Sequence, residues 1–351
     1  MPAFPITRRA ALAGTAAATL AAIPARLRAA QPVAQVTPEL IEAAKKEGKV
    51  TQYSSNDLSL ATQLAKRFEA KYPGIQVQLE RSGAERNYQR ISQEYASNLK
   101  VADIVTSSDI SYLVRWKETG WITPYLTAEA MNFAPDAREA DGFYTKETFS
   151  LMIPAYNTKL LKPEEAPKSW TDLLDPKWKG KMVKAHPGYS GNIMTGTYAV
   201  VKMLGWDYYE KLAKQGIMQV QSAVDPANRC AQGERMVAAD GSENAAFRTM
   251  KAGGPIAPIY PTEGSPVVPV GLAIMAAAPH PNAARLFAHF ILSPEGQQIL
   301  ADYGGRSFLP GIAVPAGLAP TEQIKLVHSD PTEVAKDTEE IRKRYTRYFS
   351  I

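Results

Sequence analysis

The chain has 351 residues, with 40 Lys and Arg against 35 Asp and Glu, a formal charge of +5, and one cysteine. A lone cysteine excludes an intrachain disulfide, and no segment after residue 30 is apolar for the roughly 20 residues that a bilayer crossing needs. Residues 1–30 hold four arginines and no acidic residue, so the charge without them is +1, which gives no reason to expect nucleic acid as a partner.

The first 30 residues read as an export signal of the twin-arginine type. Arg8 and Arg9 precede an uncharged, alanine-rich run from Ala10 to Ala25, and small residues follow near two possible cleavage points, after Ala25 or after Ala30. The expected workplace is therefore the periplasm. The remaining 320 or so residues are enough for two ordinary domains, and Cys230 reads as a small packed residue rather than a nucleophile.

Periodicity predicts a helix over 38–47, a strand over 49–53 and a helix with Leu58, Ala61, Leu64, Ala65 and Phe68 on one face. A strand over 75–79 follows, then a helix marked by Tyr88, Ile91 and Tyr95, a strand over 101–105 and a helix from Ile110. This βαβαβα order predicts a parallel sheet with helices on both faces. Ligands of such sheets collect where strands end and helices begin. Two polar loops occupy such places: SSND at 54–57 and TSSD at 106–109. Ser54, Ser55, Asp57, Ser107 and Ser108 are accordingly candidate ligand residues, although Ser and Asp are also the ordinary helix-capping types.

Residues 127–150 read as polar and irregular, and 150–157 as a strand-like run able to cross into a second domain. Strands are expected at 182–185, 217–220, 236–240 and 256–260, with helices at 192–204, 206–215 and 242–251. A final strand over 268–275 precedes helices at 281–292 and 294–302, and the tail at 331–348 reads as a charged helix. The segment HPGYSGN at 186–192 follows a strand and opens a helix. Ser190, Gly191 and Asn192 there offer amides, a hydroxyl and the positive end of a helix dipole to an anion. Tyr260 and Glu263, at the end of a strand near the expected crossover, complete the candidates read from the residues, with Arg81, Arg86 and Arg229 as possible countercharge.

Four segments resemble the periplasmic solute-binding proteins of ABC importers, in the branch that includes ferric-iron-binding proteins. They are VTQYSS at 50–55, ADIV at 102–105, WTDLLDPKWKGK at 170–181, and PHPNAARLF at 279–287 with LSPEGQ at 292–297. The resemblance covers nearly all of 48–312. It implies an α/β, two-lobed type II periplasmic-binding-protein fold, each lobe a mixed or mostly parallel sheet flanked by helices. Lobe 1 would take 48–152 plus 266–315 and lobe 2 would take 153–265, with 316–351 as a C-terminal helical tail. The ligand would be caught between the lobes and passed to an inner-membrane ABC permease. Trp170, Leu173, Trp178 and the 283–292 helix are expected in the core rather than the site.

Iron-holding members of that branch use two adjacent tyrosines after a Gly-Glu pair. Here Gly233 and Glu234 lead to Asp240, Ser242 and Glu243, with no tyrosine pair. The branch's histidine position falls at Asp57 and its glutamate position at Ser108. Tyr208 and Tyr209 lie inside a predicted helix, and His186, His280, His289 and His328 have no metal-ligand spacing. The expectation is a small charged solute, an organic anion or a zwitterion such as a phosphonate or carboxylate, with Asp240 and Ser242 added to the candidates. No metal, no cofactor and no catalysis are expected, and the protein should act as a monomer. The alternatives are a ferric-iron carrier with an anion-assisted site lacking tyrosine, and a sensor that presents its ligand to a receptor. No Gly-x-Ser-x-Gly elbow, P-loop or His-Glu-x-x-His motif supports an exported enzyme.

Overall fold

The computed structural model describes residues 32–350, so the twin-arginine pattern lies outside the described residues. The chain opens with β1 (Val33–Ala34), α1 (Pro38–Glu47), β2 (Lys49–Ser54), α2 (Leu58–Lys71), β3 (Gln76–Arg81), α3 (Ala84–Ala96), β4 (Ile104–Ser107), α4 (Ile110–Glu118), β5 (Ile122–Thr123), β6 (Leu126–Thr127) and β7 (Thr145–Leu151). It continues with β8 (Ala155–Asn157), β9 (Met182–Ala185), α5 (Gly191–Leu204), α6 (Trp206–Ala213), β10 (Met218–Val220), α7 (Asp225–Ala231), β11 (Val237–Ala238), α8 (Glu243–Lys251) and β12 (Ile256–Pro258). The last part holds β13 (Ser265–Met275), α9 (Pro281–Leu292), α10 (Pro294–Asp302), β14 (Leu326–Val327) and α11 (Pro331–Phe349).

Two main sheets result. The larger runs β14-β13-β4-β2-β3, with β5 and β7 also paired to β13. β2 is parallel to β3 and β4, whereas β13 is antiparallel to β4 and β7, so this sheet is mixed rather than wholly parallel. Successive strand residues face opposite sides. Val50, Ile104, Leu272 and Ile274 pack under α2, α9 and α10 with Leu64, Phe68 and Phe287. Their neighbours Val105, Ala273 and Met275 pack with Ile91, Leu113 and Trp116 of α3 and α4. The smaller sheet runs β10-β9-β11-β8-β12 and alternates in the same way. Tyr156, Met182 and Val237 meet Ile193, Tyr209 and Leu212, while Ala155, Val183 and Ala238 meet Ala227, Cys230 and Ala246. Trp170, Leu173 and Trp178 are buried in the first of these cores, as are Tyr208 and Tyr209.

The run at 150–157 does cross between sheets, leaving the larger at Leu151 and joining the smaller at Ala155. The preceding segment differs from expectation: 145–151 is a strand beside β13, with a register shift between Val270 and Gly271. Its residues Thr145, Glu147 and Thr148 are polar yet buried, which hides the alternation that marks a strand. Helix α11 lies against α4 on the larger sheet's side and against α5 and α6 on the smaller sheet's side. Arg342 pairs with Glu85 at one contact. Tyr345, fully buried, donates to Gln219 Oε1 at 2.8 Å and covers Lys184 at the other.

Candidate functional site

The carboxyl ends of β2, β3 and β4 point the same way because these strands are parallel, and they feed the starts of α2, α3 and α4. In the smaller sheet β9, β10 and β11 are also mutually parallel and feed α5, α7 and α8. The two sets of helix starts face one cavity of about 230 Å³. Ser55, Asn56, Asp57, Arg81, Gly83, Ala84, Arg86 and Ser108 line it from the larger sheet's side. Tyr189, Ser190, Gly191, Asn192, Ser222, Asp225, Ser242, Asn244 and Arg248 line it from the other, and Ser150, Val268 and Val270 form the floor on β7 and β13.

The loops are held by their own hydrogen bonds. Ser108 N–H donates to Ser55 Oγ at 2.7 Å, and Arg81 Nε–H donates to the Asn56 carbonyl at 3.0 Å. Asp57 caps α2 by accepting from Ser59 N–H at 3.0 Å, and Ser190 is the N-cap of α5. Gly191 lets the α5 terminus approach the 106–109 loop, since a Cβ there would sit 2.6 Å from Asp109 Cβ. The Asn192 side chain is buried with its Oδ1 unpartnered. Asn56 Nδ2 donates to Glu147 Oε1 at 2.9 Å, and burial pushes the Glu147 carboxyl up to about 7.

Charge around the cavity is mixed, with an excess of cations. Arg81, Arg86 and Arg248 stand against Asp57 and Asp225. Arg86 is exposed, and its side chain has no hydrogen bond or ion pair among the described residues. Arg248 Nη2 donates to Asp57 Oδ2 at 3.1 Å across the cleft. Burial opposes the Asp57 carboxylate, but hydrogen bonds from Ser59 and the charge of Arg248 outweigh it and hold its pKa below the usual value. Aligned amides at the starts of α3, α5 and α8 add partial positive charge.

The structure brings together Ser55, Asp57, Ser108, Ser190, Gly191, Asn192 and Ser242. The other sequence candidates lie outside the cavity lining, each committed to an internal contact. Ser54 Oγ bonds Thr106 Oγ1 at 2.8 Å, and Ser107 Oγ donates to the Asp109 carbonyl at 2.9 Å. Asp240 forms a buried ion pair with Lys184 at 2.6 Å. Tyr260 OH accepts from Ala319 N–H at 3.2 Å. Glu263 accepts from Trp170 N–H and Thr171 N–H at 3.0 Å each, capping the turn at 171–174. Arg229 pairs instead with Glu234 at 2.6 Å. Sequence reasoning missed Asn56, Asp225, Asn244 and Arg248. Their only signal was a place just after a strand or in the first two turns of a helix.

Among the described residues no group of three or more His, Cys, Asp and Glu side chains is placed to hold a metal ion. His186 accepts from Gly188 N–H at 2.8 Å, and burial, with Lys184 and Arg342 nearby, pushes it down to about 4. His280 and His289 are bonded to Asp103 and Glu129. Burial pushes the Cys230 thiol up to about 12.

Residues 100–327 match the family described as bacterial extracellular solute-binding protein. The chain belongs to this family. The solute-binding protein is 24% identical over 275 residues to a probable ABC transporter periplasmic-binding protein, y4fP, of Sinorhizobium fredii, covering 76% of each chain. It is 24% identical over 270 residues to iron uptake protein A1 of Synechocystis, covering 72% of this chain and 73% of that one. Its fold is that of the type II periplasmic binding proteins. AfuA of Actinobacillus pleuropneumoniae, solved with exogenous fructose-6-phosphate bound, superposes with a TM-score of 0.79 at 23% identity over 87% of this chain and 99% of that one. Iron-bound HitA of Pseudomonas aeruginosa gives 0.74 at 23% identity over 85% and 99%. As a member of the family, the protein is a solute-binding protein, and its family consists of binding proteins rather than enzymes.

Proposed function

We propose that the protein captures a small organic oxyanion in this cleft, in the periplasm, and delivers it chemically unchanged to an inner-membrane ABC permease. One observation carries the reading: the starts of α3, α5 and α8 converge on a cavity that also holds Arg81, Arg86 and Arg248. Free amides at helix starts and guanidinium groups both favour phosphate or carboxylate oxygens. Ser55, Asn56, Ser190, Asn192 and Ser242 supply neutral groups for the rest of the solute. A phosphorylated or phosphonate-bearing metabolite, including a zwitterion whose amine meets Asp225, fits this mixture. The fructose-6-phosphate found with AfuA belongs to the same chemical class. In this reading the larger sheet with 48–152 and 266–315 is one lobe, the smaller sheet with 153–265 is the other, and they close on the solute as hinged clamps do.

Ferric iron fits less well. Among the described residues the only phenol in the lining is Tyr189, and neither histidine nor glutamate is present there. Adding ferric citrate at neutral pH should give no visible charge-transfer band; a strong band would overturn the anion reading. Calorimetry with fructose 6-phosphate, 2-aminoethylphosphonate and inorganic phosphate tests it directly. Ser190→Asp, which sets a like charge at the start of α5, should abolish binding of any of these. Unchanged affinity would remove the α5 terminus from the site. Recovery of the probe unaltered by NMR after long incubation separates binding from catalysis.

A further inference from the structure

Arg248 is the most confined cation of the cleft. It sits on α8 one turn beyond Asn244, and its side chain is 21% exposed. A guanidinium carries five N–H donors. Among the described residues its one hydrogen bond runs from Nη2 to Asp57 Oδ2 at 3.1 Å, and Nη1 is buried with no partner. Burial lowers its pKa against the pull of Asp57. Confined charges normally gather several partners, because an uncompensated one is expensive to desolvate. Asp57 cannot supply a second contact easily, since its Oδ1 is already the cap of α2. The shell of Arg248 is thus incomplete, and the cavity it lines is where the missing partner would enter.

We infer that Arg248 is the anion receptor of the cleft and that Asp57 is its internal competitor; this rests on the anion-capture reading above. Two effects of Asp57 have the same sign. Its carboxylate occupies Arg248 at the effective concentration of a tethered group, on the order of millimolar or higher. It also stands in the lining and repels any incoming anion, in proportion to that anion's charge. The cleft therefore binds more weakly than its cations and helix termini alone would allow. A carrier that must surrender its solute gains from this restraint. The pair also links α2, beside the larger sheet, to α8, beside the smaller, so a ligand that takes over Arg248 must replace a contact that already draws the two sides together.

The test is calorimetric titration at neutral pH with inorganic phosphate and with fructose 6-phosphate, folding being checked by circular dichroism. Asp57→Asn keeps a capping side chain and removes the charge. It should tighten both probes by about three- to tenfold. Arg248→Gln should weaken both by at least about tenfold. In the Arg248→Gln background the gain from Asp57→Asn should shrink, because only the repulsive part remains. Where Arg248→Gln does not fold, Arg248→Lys, which keeps the charge and loses the fork, should still bind more weakly than the parent. An Asp57→Asn protein that binds no more tightly overturns the competitor role, and an Arg248 variant that binds as the parent does overturns the receptor role. If Ser190→Asp also binds normally, the α5 terminus leaves the site as well; if neither the parent nor Asp57→Asn binds either probe, the capture reading itself fails. If Ser190→Asp loses binding while Asp57→Asn changes nothing, only the present inference fails.

Discussion

Glu147 illustrates how one side chain ties the cleft to stability. It is fully buried on β7, holds Asn56 through Oε1, and leaves Oε2 unpartnered. Its folded pKa, pushed up by burial, is about 7 against an ordinary 4.5. A carboxyl with a raised pKa contributes stability that is fully present below pH 4.5 and is lost as pH rises through 7. The loss amounts to about 3 kcal/mol at most. Glu147→Gln keeps an acceptor for Asn56 and removes the charge. It should leave stability near pH 5 little changed and raise it at pH 8 by about 1–3 kcal/mol. Urea unfolding at the two pH values measures this, and equal effects at both would refute it. Such residues also mark the limit of what the sequence discloses. Asp240 looks like any cleft carboxylate until Lys184, 56 positions upstream, is seen beside it. Arg248 looks like an ordinary surface arginine on a helix until Asp57 is seen across the cavity.

At the scale of elements, the start of α5 is set by the room available to it. Gly191→Ala would place a methyl 2.6 Å from Asp109 Cβ, so the helix start must retreat from the 106–109 loop. The expected outcome is about 1–3 kcal/mol of destabilisation in urea melts together with weaker phosphate binding. Helix α11 is fastened through Tyr345, whose ring packs on Phe349 and lies 4.6 Å from Lys184 Nζ. Tyr345→Ala should cost about 3–5 kcal/mol by equilibrium unfolding, and a loss under 1 kcal/mol would mean that α11 is only loosely attached. Elements whose pattern is local were legible. α2 announces itself by an Asp57 cap and an apolar stripe, and β3 by strict alternation. β7 was not, because Thr145, Glu147 and Thr148 are buried through partners far along the chain, such as Asn56 and the Arg306 carbonyl. α7, only seven residues long, was too short to show a period.

For the molecule as a whole, the pairing of two sheets was readable because strand and helix patterns alternate twice, and the motifs at 170–181 and 279–297 pointed to one family. The antiparallel placement of β13 was not, since periodicity carries no strand order. A saturating anion should compact the particle in small-angle scattering and raise its melting temperature by mass action. A rigid scattering profile with no thermal shift, for every anion tried, would refute closure.

The position of β13 has a consequence for biosynthesis. This one strand bonds to β4, β5, β7 and β14, yet it begins only at Ser265, after the whole smaller sheet has been made. Until the ribosome reaches that point, β4 and β7 have open edges of the kind that invite wrong pairing. A nascent chain stopped near residue 260 should therefore be trapped by chaperones or precipitate, whereas one extended past Met275 has the seam it needs to shut.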